Sequence, residues 1–439
     1  MAPSAEQIGS SVHAGSDKIG VLLGGLGAIS TTLIAGVEAI KKGLAPPVGS
    51  LALLGTLNTG TEEAPQHVRI REHLDLPGPD ELDRLVFGGW DIVDTDAYSA
   101  ARVAGALETD LLDSLAHELS TIRPWPGIFD PRFNRRRDVT FVKSGRDFLD
   151  LAQQVRNDIE QFQRAHAIER VVLLWCGSTE VYLEPAPAHE TLAQFEAAMR
   201  QSDHAVIAPS MIYAYAALSM GIPFVNATPS RTVDIPALGE LARREGAPLA
   251  GKDLKTGQTL LKTILAPGLR DRMLGLRGWY STNILGNGDG ATLDDPEAFR
   301  TKQESKLSVL TSILHPELYP ELYGRLHHQV RINYYPPRGD NKESWDAIDI
   351  FGWLGYPMSI KIDFLCRDSI LAAPLLLDLA LFMDLAKRAR LSGPQEWLSF
   401  YFKSPMCANG HSPEHELSLQ LTALKQALRG LASTRVAAL

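Results

Sequence analysis

The sequence predicts an α/β protein: a doubly wound parallel sheet covered by helices on both faces, with a smaller α+β unit inserted into it. Three observations carry that prediction. Short apolar runs alternate with helix-spaced stretches through the first 255 residues, as in strand–helix–strand units. The first apolar run ends in a glycine cluster that opens directly into a helix pattern. From about residue 251 the texture changes to glycine-punctuated polar motifs and then to alternating strand patterns.

The elements follow in order. Ile19–Leu23 is a strand ending in Gly24-Gly25-Leu26-Gly27, and Ala28–Ile40 places its apolar residues at helical spacing. Val48–Leu54, after Pro46-Pro47, predicts a second strand. Residues 57–140 then form a long insertion, whose Pro- and aromatic-rich stretch Arg123–Phe133 reads as ordered loop. Its charge run Arg135-Arg136-Arg137 reads as a solvated turn. The charged stretch Gly145–Glu169 predicts a helix and Val171–Trp175 a third strand. Ile207–Pro209 and Phe224–Asn226 predict two more strands around an Ala-rich helix, Met211–Met220. Val330–Tyr335, Ala347–Trp353 and Ser359–Phe364 alternate as strands of a second sheet. Leu371–Arg390 is an apolar helix with Asp378 and Asp384 on its polar side.

The 439 residues are enough for two or three domains, and 45% hydrophobic with 22% charged residues is ordinary globular composition. A net charge of −9 disfavours nucleic acid or an anionic membrane as partner, while leaving room for a small basic pocket. Three cysteines, Cys176, Cys366 and Cys407, lack metal-ligand spacing, and His327-His328 lacks companion ligands, so no metal site is expected. No signal pattern or membrane span is expected either, and a reducing cytoplasm fits.

Gly25-x-Gly27-x-x-Ser30 sits between a strand and a helix, the setting of a dinucleotide fingerprint. The alternative is a tight turn in another doubly wound fold. Ser replaces the third glycine, and the predicted second strand has no acidic residue at its end for a ribose.

The later motifs are more specific. Gly251-Lys252-Asp253-Leu254-Lys255-Thr256-Gly257-Gln258-Thr259 resembles the GDDxKSGQT segment of the myo-inositol-1-phosphate (inositol-3-phosphate) synthase family. Asn283–Gly290 resembles its NHLGNNDG, Phe299–Lys306 its FRSKEISK, Gly339–Lys342 its GDSK and Cys366–Pro374 its CEDSLLAAP. Phe402–Pro405 resembles the late WLKAP, Phe87–Ile92 matches FGGWDI and Leu174–Glu180 resembles LWTANTE. These motifs keep the family's order and cover nearly the whole chain.

The resemblance implies a Rossmann-like domain from residues 1–255 plus 368–439, and a catalytic and tetramerisation domain from residues 256–367. It implies NAD as cofactor, a monovalent or divalent cation as an assistant, and a homotetramer. The implied reaction converts D-glucose 6-phosphate to 1L-myo-inositol 1-phosphate by C5 oxidation, enolisation, aldol closure between C1 and C6, and re-reduction. Each step develops negative charge on oxygen, which calls for several cations in a dry pocket.

By the family match Lys302, Lys306, Lys342 and Lys403 are those catalytic cations. Lys302 would lie at the C5 oxygen and Lys403 at the C1 oxygen, with Lys306 and Lys342 on phosphate and sugar oxygens. Crowding of these like charges is expected to depress at least one lysine pKa. Thr256, Gly257, Gln258 and Thr259 would bind the phosphate, Asn283 and Asn287 the sugar, and Asp340 would orient Lys342. Gly25, Gly27, Ser30, Asp91, Cys176, Gly177, Asp253 and Asp368 would face the cofactor.

The chain departs from the family at Lys252, which stands for an Asp and reverses a charge, and at Cys176, Gly288 and Asn341. Two rival readings follow: a relative that cyclises another sugar phosphate such as fructose 6-phosphate, and a catalytically silent NAD-binding protein.

Overall fold

A computed structural model of the chain describes residues 17–134, 136–286, 309–407 and 413–436. Its strands, in chain order, are β1 (Ile19–Gly24), β2 (Thr56–Asn58), β3 (His67–Arg69), β4 (Leu85–Asp91), β5 (Trp125–Pro126), β6 (Arg170–Trp175), β7 (Phe224–Asn226), β8 (Pro248–Gly251), β9 (Gly275–Leu285), β10 (His327–Tyr334), β11 (Asn341–Phe351), β12 (Pro357–Arg367) and β13 (Gly393–Pro394). A seven-stranded sheet has the order β13-β8-β7-β6-β1-β4-β5, with every pair parallel. The chain starts in the middle with β1, steps outward through β4 and β5, then returns to lay β6, β7 and β8 on the other side. This is the strand order of a dinucleotide-binding sheet, extended by β13 at one edge.

Alternate β1 residues supply both faces. Val21 and Leu23 join one apolar cluster, with the helices Ala28–Lys41 and Asp368–Arg388. Leu22 joins the other, with Phe148–His166 and Pro209–Ser219. Period-2 alternation between two buried faces is what a doubly wound sheet requires.

Two predicted strands are not strands. Leu51–Leu54 is a single helical turn capped by Ser50, whose Oγ accepts the Leu53 N–H at 3.2 Å. The buried Asp378 carboxylate takes the Ser50 hydroxyl and the N–H groups of Leu51 and Ala52. A capped, anchored N-terminus thus turns a short apolar run into helix. Ile207-Ala208 leads into the helix Pro209–Ser219, where proline occupies the first turn. The true neighbour of β1 is β4, inside the stretch expected to be an insertion. Its glycines disguise it: a Cβ on Gly89 would lie 2.2 Å from the Leu23 carbonyl, and one on Gly88 2.9 Å from Phe162.

Asp378 and Asp384 do not face solvent. Both are buried, Asp384 pairing with Arg170 at 2.5 Å and Arg388 at 2.9 Å. Their helix, Asp368–Arg388, is long and apolar enough to cross a membrane, but most of it is buried within the protein.

The second sheet runs β10-β9-β11-β12, parallel between β10 and β9 and antiparallel elsewhere. One face closes over Ala266, Leu269, Trp279, Ile348 and Ile350. Trp345 and Leu365, together with Trp353, Leu354, Tyr356 and Met358 at the β11–β12 turn, remain exposed.

Candidate active site

The carboxyl ends of the parallel strands form one rim, and the candidate residues gather along it. At the end of β1 the chain turns at Gly25 with φ +98°, where a Cβ would approach the Gly177 Cα to 2.9 Å. Only glycine suits both the left-handed backbone and that approach. The Ser30 hydroxyl donates to the Gly25 carbonyl at 2.6 Å, so the residue replacing the third glycine ties the turn to its helix. No side chain caps that helix at Gly27, and a Cβ placed on Gly27 would meet nothing within 4 Å. Open space therefore lies before a helix N-terminus with free first-turn N–H groups, the surroundings a pyrophosphate needs.

The space continues as a cleft of about 670 Å³, its open mouth included, lined by Gly25, Gly27, Asp91, Cys176 and Gly177 among others. Trp90, Trp175 and Tyr213 give it an aromatic wall, with Ile128 beside them and Tyr213 5.3 Å from Trp90 and 5.1 Å from Trp175, ring centre to ring centre. Arg136, expected in a solvated turn, also lines it. Burial pushes the Cys176 thiol up to about 12, so it stays a neutral thiol beside the turn.

Asp91 ends β4, the topological second strand, and so stands where a ribose-binding acid belongs. The missing acid was sought on the wrong segment. Its Oδ2 accepts the Leu26 N–H at 2.7 Å and its Oδ1 the Val93 N–H at 3.0 Å, which fixes the carboxylate at the glycine turn. Glycine turn, helix N-terminus, aromatic wall and strand-end acid fit a dinucleotide.

Further along the rim, past β7 and β8, lie two lysine–aspartate pairs. Lys403 Nζ meets Asp253 Oδ1 at 3.0 Å, both groups buried. The strands of this contact are knit by the backbone: Lys403 N donates to Asp253 O, and Asp253 N donates to Thr228 O. Lys342 Nζ meets Asp368 Oδ2 at 2.6 Å. A Cβ on Gly257 would lie 3.5 Å from both Lys342 Nζ and Asp368 Oδ1. Asp253 and Gly257 are four residues apart, so one short segment supplies a member of the first pair and lies against the second. Lys342 and Lys403 each face a carboxylate. Burial lowers the Lys255 ammonium to about 7 and that of Lys262 to about 8.

The helix Gly257–Asp271 begins beside the Lys342 pair, and no side chain caps it at Thr256. Its first-turn N–H groups, from Gly257, Gln258 and Thr259, suit an anion. Thr256 and Thr259 are buried there too. The side chains of Gln258 and Asn283 are buried against each other, Asn283 Nδ2 donating to Gln258 Oε1 at 2.5 Å. Asp340 receives the Ser369 hydroxyl at 3.3 Å, while the ion pair of Lys342 is with Asp368.

Lys252 does not leave a reversed charge standing: its Nζ pairs with Asp234 at 2.6 Å. Sequence reading passed over Lys255, although it sits inside a quoted motif; it donates to Gln420 on the helix Leu417–Val436. Lys302, Lys306 and Asn287 lie outside the described residues. His328 shares a hydrogen bond with Lys262 at 2.8 Å.

Comparison with known proteins agrees with this geometry. Residues 19–429 match the NAD-binding family model described as myo-inositol-1-phosphate synthase. The chain is 49% identical over 415 residues to inositol-3-phosphate synthase 1 of Bacteroides thetaiotaomicron, covering 94% of this chain and 95% of that one. It is 33% identical to the inositol-3-phosphate synthase of Saccharomyces cerevisiae, covering 94% and 85% of the two chains. The crystal structure of the Caenorhabditis elegans inositol-3-phosphate synthase superposes with a TM-score of 0.87 at 27% identity, covering 94% of this chain and 86% of that one. With the dinucleotide strand order, the glycine turn and the paired lysines already in place, the chain belongs to the myo-inositol-1-phosphate synthase family of NAD-binding enzymes.

Proposed function

We propose that the protein cyclises D-glucose 6-phosphate to 1L-myo-inositol 1-phosphate. The observation that carries this reading is the pairing of Lys403 with Asp253 and of Lys342 with Asp368, both against the segment Asp253–Gly257 that follows β8 of the dinucleotide sheet. When bound, NAD supplies reversible hydride exchange at C5 of the sugar. The chain's own groups do the rest. First-turn N–H groups from Gly257 to Thr259 hold the phosphate, and Lys342, kept charged by Asp368, covers phosphate and sugar oxygens. Lys403 stabilises the C1 alkoxide that develops during ring closure and gives it a proton, with Asp253 steadying the ammonium. Lys302 and Lys306 take the C5 oxygen and the phosphate in this proposal, as their motif implies. Asp91 binds the cofactor ribose, and Gly25, Gly27, Ser30, Cys176 and Gly177 shape the cradle.

In the same proposal residues 1–255 plus 368–439 form the cofactor domain, and residues 256–367 the catalytic and tetramerisation domain. Support for that division comes from the two separate sheets and from the exposed apolar residues around the β11–β12 turn. The enzyme works as a cytoplasmic homotetramer.

The test is product NMR after incubation of ¹³C-labelled glucose 6-phosphate with enzyme and NAD, with fructose 6-phosphate in a parallel tube. Inositol monophosphate from glucose 6-phosphate, without net NADH, is the expected outcome. Stoichiometric NADH, or a carbocycle from fructose 6-phosphate alone, overturns the proposal.

A further inference from the structure

Behind the lysine pairs lies a buried polar chain that the proposed mechanism does not use. Its root is Asp346 on β11, 1% exposed. Asp346 Oδ1 accepts the Trp279 indole N–H at 2.7 Å and the Ser281 hydroxyl at 2.5 Å, and Oδ2 accepts Gln258 Nε2 at 3.0 Å. Gln258 Nε2 also faces two carbonyls, Thr282 O at 3.1 Å and Trp345 O at 3.3 Å. Lys262, one turn along the helix from Gln258, places a buried ammonium within the electrostatic reach of Asp346.

A carbonyl can only accept hydrogen bonds, and the Asp346 carboxylate oxygen accepts here too, so these three partners leave the Gln258 amide one orientation. Its NH₂ must point at them and its Oε1 away. Oε1 is then an acceptor facing Asn283, which must present its own NH₂ there, at 2.5 Å. The carbonyl of Arg331, 3.4 Å from the same nitrogen, selects the same orientation. Asn283 Oδ1 is consequently turned the other way. It is fully buried and has no hydrogen-bond partner among the described residues. A buried carbonyl oxygen left without a donor is destabilising unless a ligand supplies one.

The register shows which way that oxygen's neighbourhood opens. Asn283 on β9 is opposite Ser344 on β11. Lys342, Ser344 and Asp346 are alternate β11 residues and all are buried, so they share one face. Lys342 is therefore the diagonal neighbour of Asn283, on the side where Gly257 and Asp368 complete the site.

We infer that Asp346 is a positioning residue: by fixing the direction of the Gln258 amide it makes Asn283 Oδ1 a dedicated acceptor for an O–H or N–H donor on the ligand. The ligand group at Asn283 is thus a hydroxyl or an ammonium and not a phosphate oxygen. That the donor is a sugar hydroxyl rests on the function proposed above.

Asp346→Asn tests the relay. It replaces the carboxylate, one of the three acceptors facing Gln258 Nε2, with an amide that can present a donor there, and so sets position 346 against the two carbonyls. Ser281→Ala is the comparison, since it removes another hydrogen bond from the same carboxylate without touching Gln258. In deuterated enzyme with ¹⁵N-labelled Asn and Gln side chains, the Asn283 NH₂ signal should shift and exchange faster in D346N and stay in place in S281A. With glucose 6-phosphate, D346N should raise KM about tenfold with kcat nearly kept and NAD affinity unchanged, the loss of roughly one hydrogen bond. In an Asn283→Ala background the further change D346N should leave KM unaltered, whereas a merely structural role adds its full effect there. An unmoved Asn283 amide signal in D346N, or additive effects in the cycle, overturns the inference. A wild-type enzyme without turnover overturns the proposed function instead, and the amide signal still decides the relay.

Discussion

Lys403 and Asp253 form a buried pair, and such a pair behaves asymmetrically when broken. Removing one partner strands the other as a buried charge, at a cost of about 3–5 kcal/mol, whereas removing both charges together costs far less. Lys403→Met should therefore lower the unfolding free energy by that amount and abolish turnover. Adding Asp253→Asn should restore most of the stability, read by urea unfolding, without restoring activity. Recovery of both in the double variant contradicts a chemical role for Lys403. Lys255 makes a separate prediction from pH. Burial lowers its folded pKa to about 7, while an unfolded lysine titrates near 10.4. Between those values the unfolded chain holds a proton that the folded chain lacks, so stability rises with pH across that window. The slope is at most about 1.4 kcal/mol per pH unit. Urea midpoints at pH 7 and pH 9 should show the rise in the wild type and its loss in Lys255→Met. The positions of Lys342, Lys403, Asp253 and Asp368 were legible as motif residues. Their pairing was not, because ion pairs join residues 26 and 150 positions apart and sequence spacing says nothing at that range. Gln258 and Asn283 were legible as motif residues, but their contact with each other was not: burial commits the Gln258 side chain to the sheet and to Asn283, while its backbone N–H stays at the start of the helix.

Elements that alternate cleanly were readable, and those built around glycine or a cap were not. β1, β6, β7 and the helix after β1 appear where the apolar pattern put them, within a residue or two. β4 escaped because Gly88 and Gly89 remove the side chains that would have shown a period of two. Losing β4 also left Asp91 to rest on the family resemblance alone, without the strand-end position that argues for a ribose contact from the pattern. β9 escaped because its buried face carries Ser281 and Asn283, polar residues that read as loop until Asp346 and Gln258 are seen to satisfy them. The glycine turn yields its own prediction. Gly25→Ala must place a Cβ in a left-handed backbone and against Gly177. NAD affinity by calorimetry should fall about tenfold or more, with the far-UV spectrum unchanged. Unchanged affinity would remove the turn from the cofactor site.

At the scale of the whole molecule, the open face and turn of the second sheet gather several large exposed apolar side chains on one element. Trp353, Leu354, Tyr356 and Leu365 are each more than half exposed. A cluster of large apolar side chains on one element marks an association surface. Sedimentation should show an assembly larger than one chain, and Leu354→Asp with Leu365→Asp should shift it towards monomer. A wild-type monomer would contradict the assembly proposed for this sheet.

The path of the chain has a consequence for how the protein comes into being. After β8 the chain leaves the parallel sheet, builds the second sheet, and returns only with Asp368–Arg388 and β13 to finish the first. Lys403 arrives later still. A nascent polypeptide on the ribosome thus carries its glycine turn early but lacks both the helix that covers one face of that sheet and the ammonium that neutralises Asp253 until synthesis is almost over. Emergence of a working catalyst is tied to the last stretch of translation, and premature termination anywhere before residue 403 discards the chemistry along with the tail.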